Sequence, residues 1–169
     1  LLSSPVEAWP RPLGRHLASA RRMPTFECPR EQNEREGKGV IAKAIRIHQT
    51  GGPEVLKWED IDVPPPGQGE VRIRHTAVGL NFIDTYHRSG LYPVPLPTVI
   101  GSEGAGVVEA VGPGVTDLKP GDRVAYGNAP IGSYAEVRNI PAGRLVKIPD
   151  GISDQQAASM MLKGMTAEY

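Results

Sequence analysis

The sequence predicts a mainly β fold of the α+β class: a partly open barrel of short strands, with short helices attached. Three observations carry that expectation. Apolar and polar residues alternate in Ala44-Ile45-Arg46-Ile47-His48 and again from Glu70 to Val78, the two-residue period of a strand with one buried face. Glycine (20) and proline (17) are plentiful in a chain of 169 residues, which favours many turns over long helices. Gly101-Ser102-Glu103-Gly104-Ala105-Gly106 runs into Val107, Val108 and Val111 and closes on Gly112-Pro113-Gly114, so these glycines lead into a strand and then a turn. A phosphate-cradling glycine loop would have to leave a strand and open a helix, and no stretch of this sequence does so.

Taken in order, residues 1–40 stand apart. They carry Pro5, Pro10, Pro12, Pro24 and Pro29, scattered arginines and no periodicity, and read as a disordered or loosely attached extension. The four arginines between Arg11 and Arg22 weakly resemble a transit peptide, but the prolines break the amphipathic helix that one requires. Residues 41–150 read as one β domain. Its strands are expected at Ala44–His48, Val55–Val63, Glu70–Val78, Gly104–Val111, Arg123–Tyr126, Ser133–Arg138 and Leu145–Ile148. Between them, Gly51-Gly52-Pro53, Pro64-Pro65-Pro66-Gly67 and Lys119-Pro120-Gly121-Asp122 form turns and loops, and Tyr92–Pro97 is irregular because of its three prolines. A short helix is expected over Asn81–His87, capped by Asn81. Asp122-Arg123 reads as a turn and an ion pair. Residues 151–169 open a second helix: Ser153 is its N-cap, with Gln156 three residues on as in a capping box, and Gly164 or the chain end cuts it short.

Composition excludes several classes of function. Formal net charge is +0, which gives no electrostatic footprint for nucleic acid. No apolar run approaches the ~20 residues of a membrane-spanning helix. Cys28 is the only cysteine, so no internal disulfide forms, and a reducing, cytoplasmic location is expected.

The glycine-led strand, the Val111-Gly112-Pro113-Gly114-Val115 turn and Pro120-Gly121-Asp122-Arg123-Val124 follow one another as they do in the N-terminal GroES-like domain of the medium-chain dehydrogenase/reductase superfamily. Gly51-Gly52-Pro53-Glu54-Val55-Leu56, Gly79-Leu80-Asn81-Phe82-Ile83-Asp84-Thr85-Tyr86 and Arg88-Ser89-Gly90-Leu91-Tyr92-Pro93 resemble its NADPH:quinone oxidoreductase (zeta-crystallin-like) branch. The resemblance runs from about Ala42 to Tyr169. It implies that residues 151–169 lead toward a Rossmann domain that these residues do not contain, and that any homodimer forms through that further domain.

Zinc divides the superfamily. Its zinc-using branch has a cysteine after the third strand and Gly-His-Glu before the Val-Val strand, where this chain has Asn81-Phe82-Ile83-Asp84 and Gly101-Ser102-Glu103. An amide and a hydroxyl are poor replacements for thiolate and imidazole. His16, His48, His75 and His87 are scattered without ligand spacing, so no metal is expected. Glu103 is expected to pair with a basic residue or to cap a turn.

The resemblance implies hydride transfer from NADPH to a quinone without a Lewis acid. It implies a cofactor-contacting segment of Phe82, Ile83, Asp84, Thr85 and Tyr86, joined by Thr166 and Tyr169 in the hinge, and a substrate pocket of Asn81, Tyr86 and Tyr92. Phe82 and Ile83 are read equally well as core residues, and Lys163 and Glu168 as solvated residues at a helix end. Two alternatives stay open: an enone or enoyl reductase of the same superfamily, and a GroES-like fragment that is not catalytic by itself.

Overall fold

A computed structural model describes residues 38–168 apart from Ala129. The expectation for the N-terminal extension, up to residue 37, lies outside the described residues. Eight strands fall into two antiparallel sheets. The smaller pairs β1 (Val40–Ile47) with β2 (Lys57–Val63), Val40 opposite Val63 and Arg46 opposite Lys57, and adds the two-residue β4 (Thr98–Val99) to the other edge of β1. The larger contains β3 (Glu70–Gly79), β5 (Glu103–Val111), β6 (Arg123–Gly127), β7 (Val137–Pro141) and β8 (Val146–Lys147), in the order β7-β3-β5-β6-β8. The two helices are α1 (Phe82–Ser89) and α2 (Asp154–Glu168).

The expected strands are present, with three differences. The stretch expected as Ser133–Arg138 divides. Val137–Pro141 joins the large sheet, while residues 134–136 tie the two sheets together. Ile45 donates its N–H to the Tyr134 carbonyl, Glu136 donates to Lys43, and His75 donates to Glu136, at 2.7, 2.8 and 2.9 Å. Extended chain that pairs with a different sheet on each edge belongs to neither ladder, so this seam joins the two sheets without merging them into one closed barrel. Along β3 the alternation is not clean, because Val71, Arg72 and Ile73 are all buried. The β3–β5 register shifts after Arg72 and again after His75, and such bulges re-aim side chains. Lastly, α2 runs on through Gly164, since one glycine costs a helix only about 1 kcal/mol and does not stop it.

Val71, Ile73, Val108, Leu118, Val124, Tyr126 and Ile140 form the main core, within the curve of the large sheet. Fully burying a residue such as Ile73 contributes roughly 1.5–3 kcal/mol. A second cluster seats α2 on the large sheet, with Ala157 and Ala158 against Ala105 and Ala125. Four alanines at this contact let helix and sheet backbones approach closely. The capping box read from the sequence holds α2's first turn: Ser153 N–H donates to Gln156 Oε1 at 2.9 Å, and Gln156 N–H to Ser153 Oγ at 3.2 Å.

The expected Asp122–Arg123 pair does not form. Asp122 binds Lys119 and Lys147, while Arg123 turns to Asp154, because adjacent residues in a strand point to opposite faces. Asp154 also accepts from Thr76 Oγ1 at 2.6 Å, so the start of α2 is anchored to β3 and β6 together.

Candidate functional site

The site assembles where β3 ends, α1 begins, β5 begins and α2 passes overhead. Glu103, the first residue of β5, has no solvent exposure. It lies opposite Gly79 of β3, and a Cβ at Gly79 would overlap both the Glu103 side chain and the Ala158 carbonyl oxygen. Glycine at 79 is therefore what lets the Glu103 carboxylate pass across to α2. Its Oε2 accepts the Leu162 N–H at 2.7 Å, and its Oε1 accepts from Lys163 Nζ at 2.8 Å and from Asn81 Nδ2 at 2.8 Å. Lys163 Nζ also donates to Asn81 Oδ1 at 2.9 Å. The expectation that Glu103 pairs with a basic residue is met, and its partner Lys163 is not merely a solvated residue at a helix end.

A second buried carboxylate sits one step away. Asp84 Oδ2 accepts the Asn81 N–H at 3.0 Å, which closes the first turn of α1 from the N3 position. Asp84 Oδ1 accepts from Ser102 Oγ at 2.7 Å, and Oδ2 accepts from the Tyr134 hydroxyl at 2.7 Å. Burial and the hydrogen bond to Asp84 hold the Tyr134 phenol well above its ordinary pKa, so it stays a neutral donor. Asn81 links the two carboxylates, through its backbone N–H to Asp84 and its side-chain amide to Glu103.

The exposed side of α1 is aromatic. Tyr86 packs edge-on against Phe82 at 5.5 Å between ring centres and against Tyr92 at 5.3 Å. Phe82 is 76% exposed and Tyr92 48%, so this ladder faces outward and not into the core. The helix ends at Gly90, whose φ of 86° is the left-handed conformation that closes a helix and returns the chain toward Tyr92. An apolar hollow of about 420 Å³ opens nearby, lined by Ile45, Trp58, His75, Val78, Leu80 and Tyr134 among others.

The residues expected from the sequence are thus placed as follows. Asn81 is nearly buried within the carboxylate network. Phe82, Tyr86 and Tyr92 form the outer ladder. Ile83 is half-buried, and Asp84 is buried with both oxygens engaged. Thr85 is half-buried and donates back to the Phe82 carbonyl at 2.6 Å. Thr166, on the last turns of α2, is exposed and donates to the Leu162 carbonyl at 2.9 Å. Tyr169 lies outside the described residues. Sequence reasoning did not unite Ser102, Tyr134 and Lys163 with this group. Lys163 and Asn81 are far apart in the chain, and only the crossing of α2 over β5 brings them together.

Residues 67–150 match the alcohol dehydrogenase GroES-like domain. A quinone oxidoreductase of Pseudomonas aeruginosa is 56% identical over 130 residues, 76% of this chain and 40% of that protein. The chain belongs to the quinone oxidoreductase family of the medium-chain dehydrogenases/reductases. Within the quinone oxidoreductase family, quinone oxidoreductase 1 of Escherichia coli is 46% identical over 130 residues, again 76% of this chain and 40% of its own length. A 2-haloacrylate reductase of a Burkholderia species is 50% identical over 136 residues, with the same coverage. The crystal structure of the Escherichia coli quinone oxidoreductase complexed with NADPH superposes with a TM-score of 0.74, at 46% identity, over 76% of this chain and 40% of that one. The chain therefore spans 40% of the length of these relatives.

Among the described residues no three His, Cys, Asp or Glu side chains converge as a metal site would require, and no helix is long and apolar enough to cross a membrane.

Proposed function

We propose that this protein transfers hydride from NADPH to a quinone, without zinc. The observation that carries the reading is the state of Asn81 and Ser102. These stand at the two places where the zinc-using branch has ligands, and here each is committed to a buried carboxylate network through an amide or a hydroxyl. Neither is a ligand type that zinc prefers.

The donor set suits a nicotinamide. Flat aromatic faces of Phe82, Tyr86 and Tyr92 follow directly on the Asn81 amide, so one wall offers stacking and polar contacts together. Phe82, Ile83, Thr85, Tyr86, Thr166 and Tyr169 hold the cofactor, and Asp84 acts at one remove by fixing the start of α1. When bound, NADPH supplies the hydride. The chain's own contribution is to fix Asn81 through two carboxylates, to present Tyr86 and Tyr92 to a planar acceptor, and to exclude water along the ladder. We assign residues 41–150 to the GroES-like domain and 151–169 to the connection toward a nucleotide-binding domain. The single Cys28 accords with a reducing, cytoplasmic location.

The test uses the full-length protein. After dialysis against a chelator, NADPH oxidation with a quinone acceptor is expected to continue undiminished. Activity that disappears with the chelator and returns with zinc would overturn the metal-free reading. A second reading, reduction of a conjugated alkene beside a carbonyl, is favoured by the likeness to the 2-haloacrylate reductase. The ratio of kcat/KM for quinone and enone acceptors decides between them.

A further inference from the structure

We propose that Lys163 is the electrophile of this site: its ammonium donates a hydrogen bond to the acceptor's carbonyl oxygen and stabilises the negative charge that collects there during reduction. The assignment rests on the hydride-transfer reading above and goes beyond it by naming the group that takes over a metal's electrostatic task.

Three observations support it. First, the ammonium is held beside one of the two places where the zinc-using branch has ligands, 2.9 Å from Asn81 Oδ1, and 2.8 Å from Glu103 Oε1. These contacts use two of its three N–H donors. The third reaches the Leu80 carbonyl at 3.5 Å, the longest and weakest of the three contacts and the one an incoming oxygen would displace. Second, the ion pair has a direction. The Glu103 side chain is 0% exposed and that of Lys163 is 55% exposed, so the negative charge lies behind and the positive charge at the opening. A cation on a flexible stem is thereby fixed in advance, which is what makes a donor effective toward charge that develops only in the transition state. Third, the arginines nearby are already engaged elsewhere. Arg123 pairs with Asp154 at the far end of α2, and Arg138 lies over the Tyr126 ring.

The step balances without a further reagent. Hydride arrives as a proton with two electrons and forms a new C–H bond on the acceptor. The acceptor's own π pair moves to its carbonyl oxygen, where the Lys163 N–H meets it. The acceptor is reduced by two electrons and the dihydronicotinamide is oxidised by two. The oxygen then takes a proton from water, and Lys163 keeps its own.

The experiment compares full-length wild type with Lys163→Met, Lys163→Arg and the double variant Glu103→Gln/Lys163→Met. Steady-state kinetics with a quinone are paired with fluorescence titration of NADPH and with binding of 4-nitrophenolate, which presents a full negative oxygen. Lys163→Met is expected to lose about a hundredfold in kcat, the range for a deleted oxyanion donor. Its NADPH affinity stays unchanged, and 4-nitrophenolate binding falls about tenfold or more. Binding of neutral 4-nitroanisole does not change, and Lys163→Arg recovers part of each loss. The double variant guards against misfolding, because it leaves no unpaired buried carboxylate, and it is expected to be as slow as Lys163→Met.

Three results overturn the assignment while the hydride-transfer reading stands: wild-type kcat and phenolate binding in Lys163→Met, a loss confined to NADPH affinity, or wild-type kcat in the double variant. Wild type that turns over neither quinone nor enone with NADPH removes both proposals together.

Discussion

Acidification acts on one half-buried ring, that of His75. His75 sits on β3 with Nδ1 2.6 Å from the Ala135 carbonyl and Nε2 2.7 Å from the Tyr126 hydroxyl. A carbonyl can only accept, so Nδ1 carries the proton and Nε2 accepts from Tyr126. A second proton would have to enter at Nε2, facing a hydroxyl that Arg138 also approaches at 3.4 Å. Burial lowers the His75 pKa from 6.5 to about 4; the Ala135 carbonyl opposes this shift and the Arg138 charge adds to it. Between those two values the unfolded chain binds a proton that the folded chain refuses, so stability falls with pH across that window. It is fully present above about pH 6.5 and levels off below about pH 4. The shift of about 2.5 units, at 1.36 kcal/mol per unit, amounts to about 3 kcal/mol as an upper figure. Urea unfolding at a series of pH values, for wild type and His75→Gln, measures it. The variant is less stable throughout but lacks this slope. Parallel stability curves for the two proteins through the window would refute the reasoning. Asp122, held near 2 chiefly by its hydrogen bonds to Lys119 and Lys147, loses its contribution only as pH falls below its ordinary 3.8.

Two substitutions probe the site's framework. Gly79→Ala forces a methyl group against Glu103 and the Ala158 carbonyl, and an overpacked core costs about 1–3 kcal/mol or more. Chemical denaturation should show that loss, together with displaced amide signals at Leu162 and Lys163; unchanged signals there would mean that Glu103 reaches α2 without needing the gap. Tyr134→Phe removes one donor from buried Asp84 and should cost about 1–3 kcal/mol in the same assay, and wild-type stability would show that Ser102 and the Asn81 N–H suffice.

The strands were legible from runs of β-branched residues, with partial alternation in β1 and β3, set between glycine- and proline-rich turns, and α2's start because Ser153 and Gln156 lie within one turn. The errors share a cause. Ser133–Arg138 has a strand's residues, but which sheet each residue joins depends on neighbours about ninety positions away, at Lys43 and Ile45, and sixty positions away, at His75. Asp122 and Arg123 looked like partners because they are adjacent, although adjacency in a strand separates side chains. At the site, Asn81, Asp84, Phe82, Tyr86 and Tyr92 were singled out by the family resemblance, which a short contiguous motif can carry because they occupy a single helix and its exit. Lys163 was not, since its role depends on a tertiary crossing, and a lysine near a helix end has the same local signature whether it is solvated or paired.

The seam at residues 134–136 also governs the order in which the molecule can be built. As the chain leaves a ribosome, β1 and β2 can pair at once, yet their open edge finds Tyr134 and Glu136 only after about seventy further residues, from Val63 to Tyr134, have emerged. Until then two incomplete sheets stand side by side with apolar faces uncovered, including Ala42 and Val63, which in the finished fold are packed with Val137. Closure over so long a span delays the rewarding contacts and lengthens that exposure. The segment that joins the two sheets is thus a late stitch in their assembly, and the interval before it arrives is when these apolar faces are most open to unwanted association.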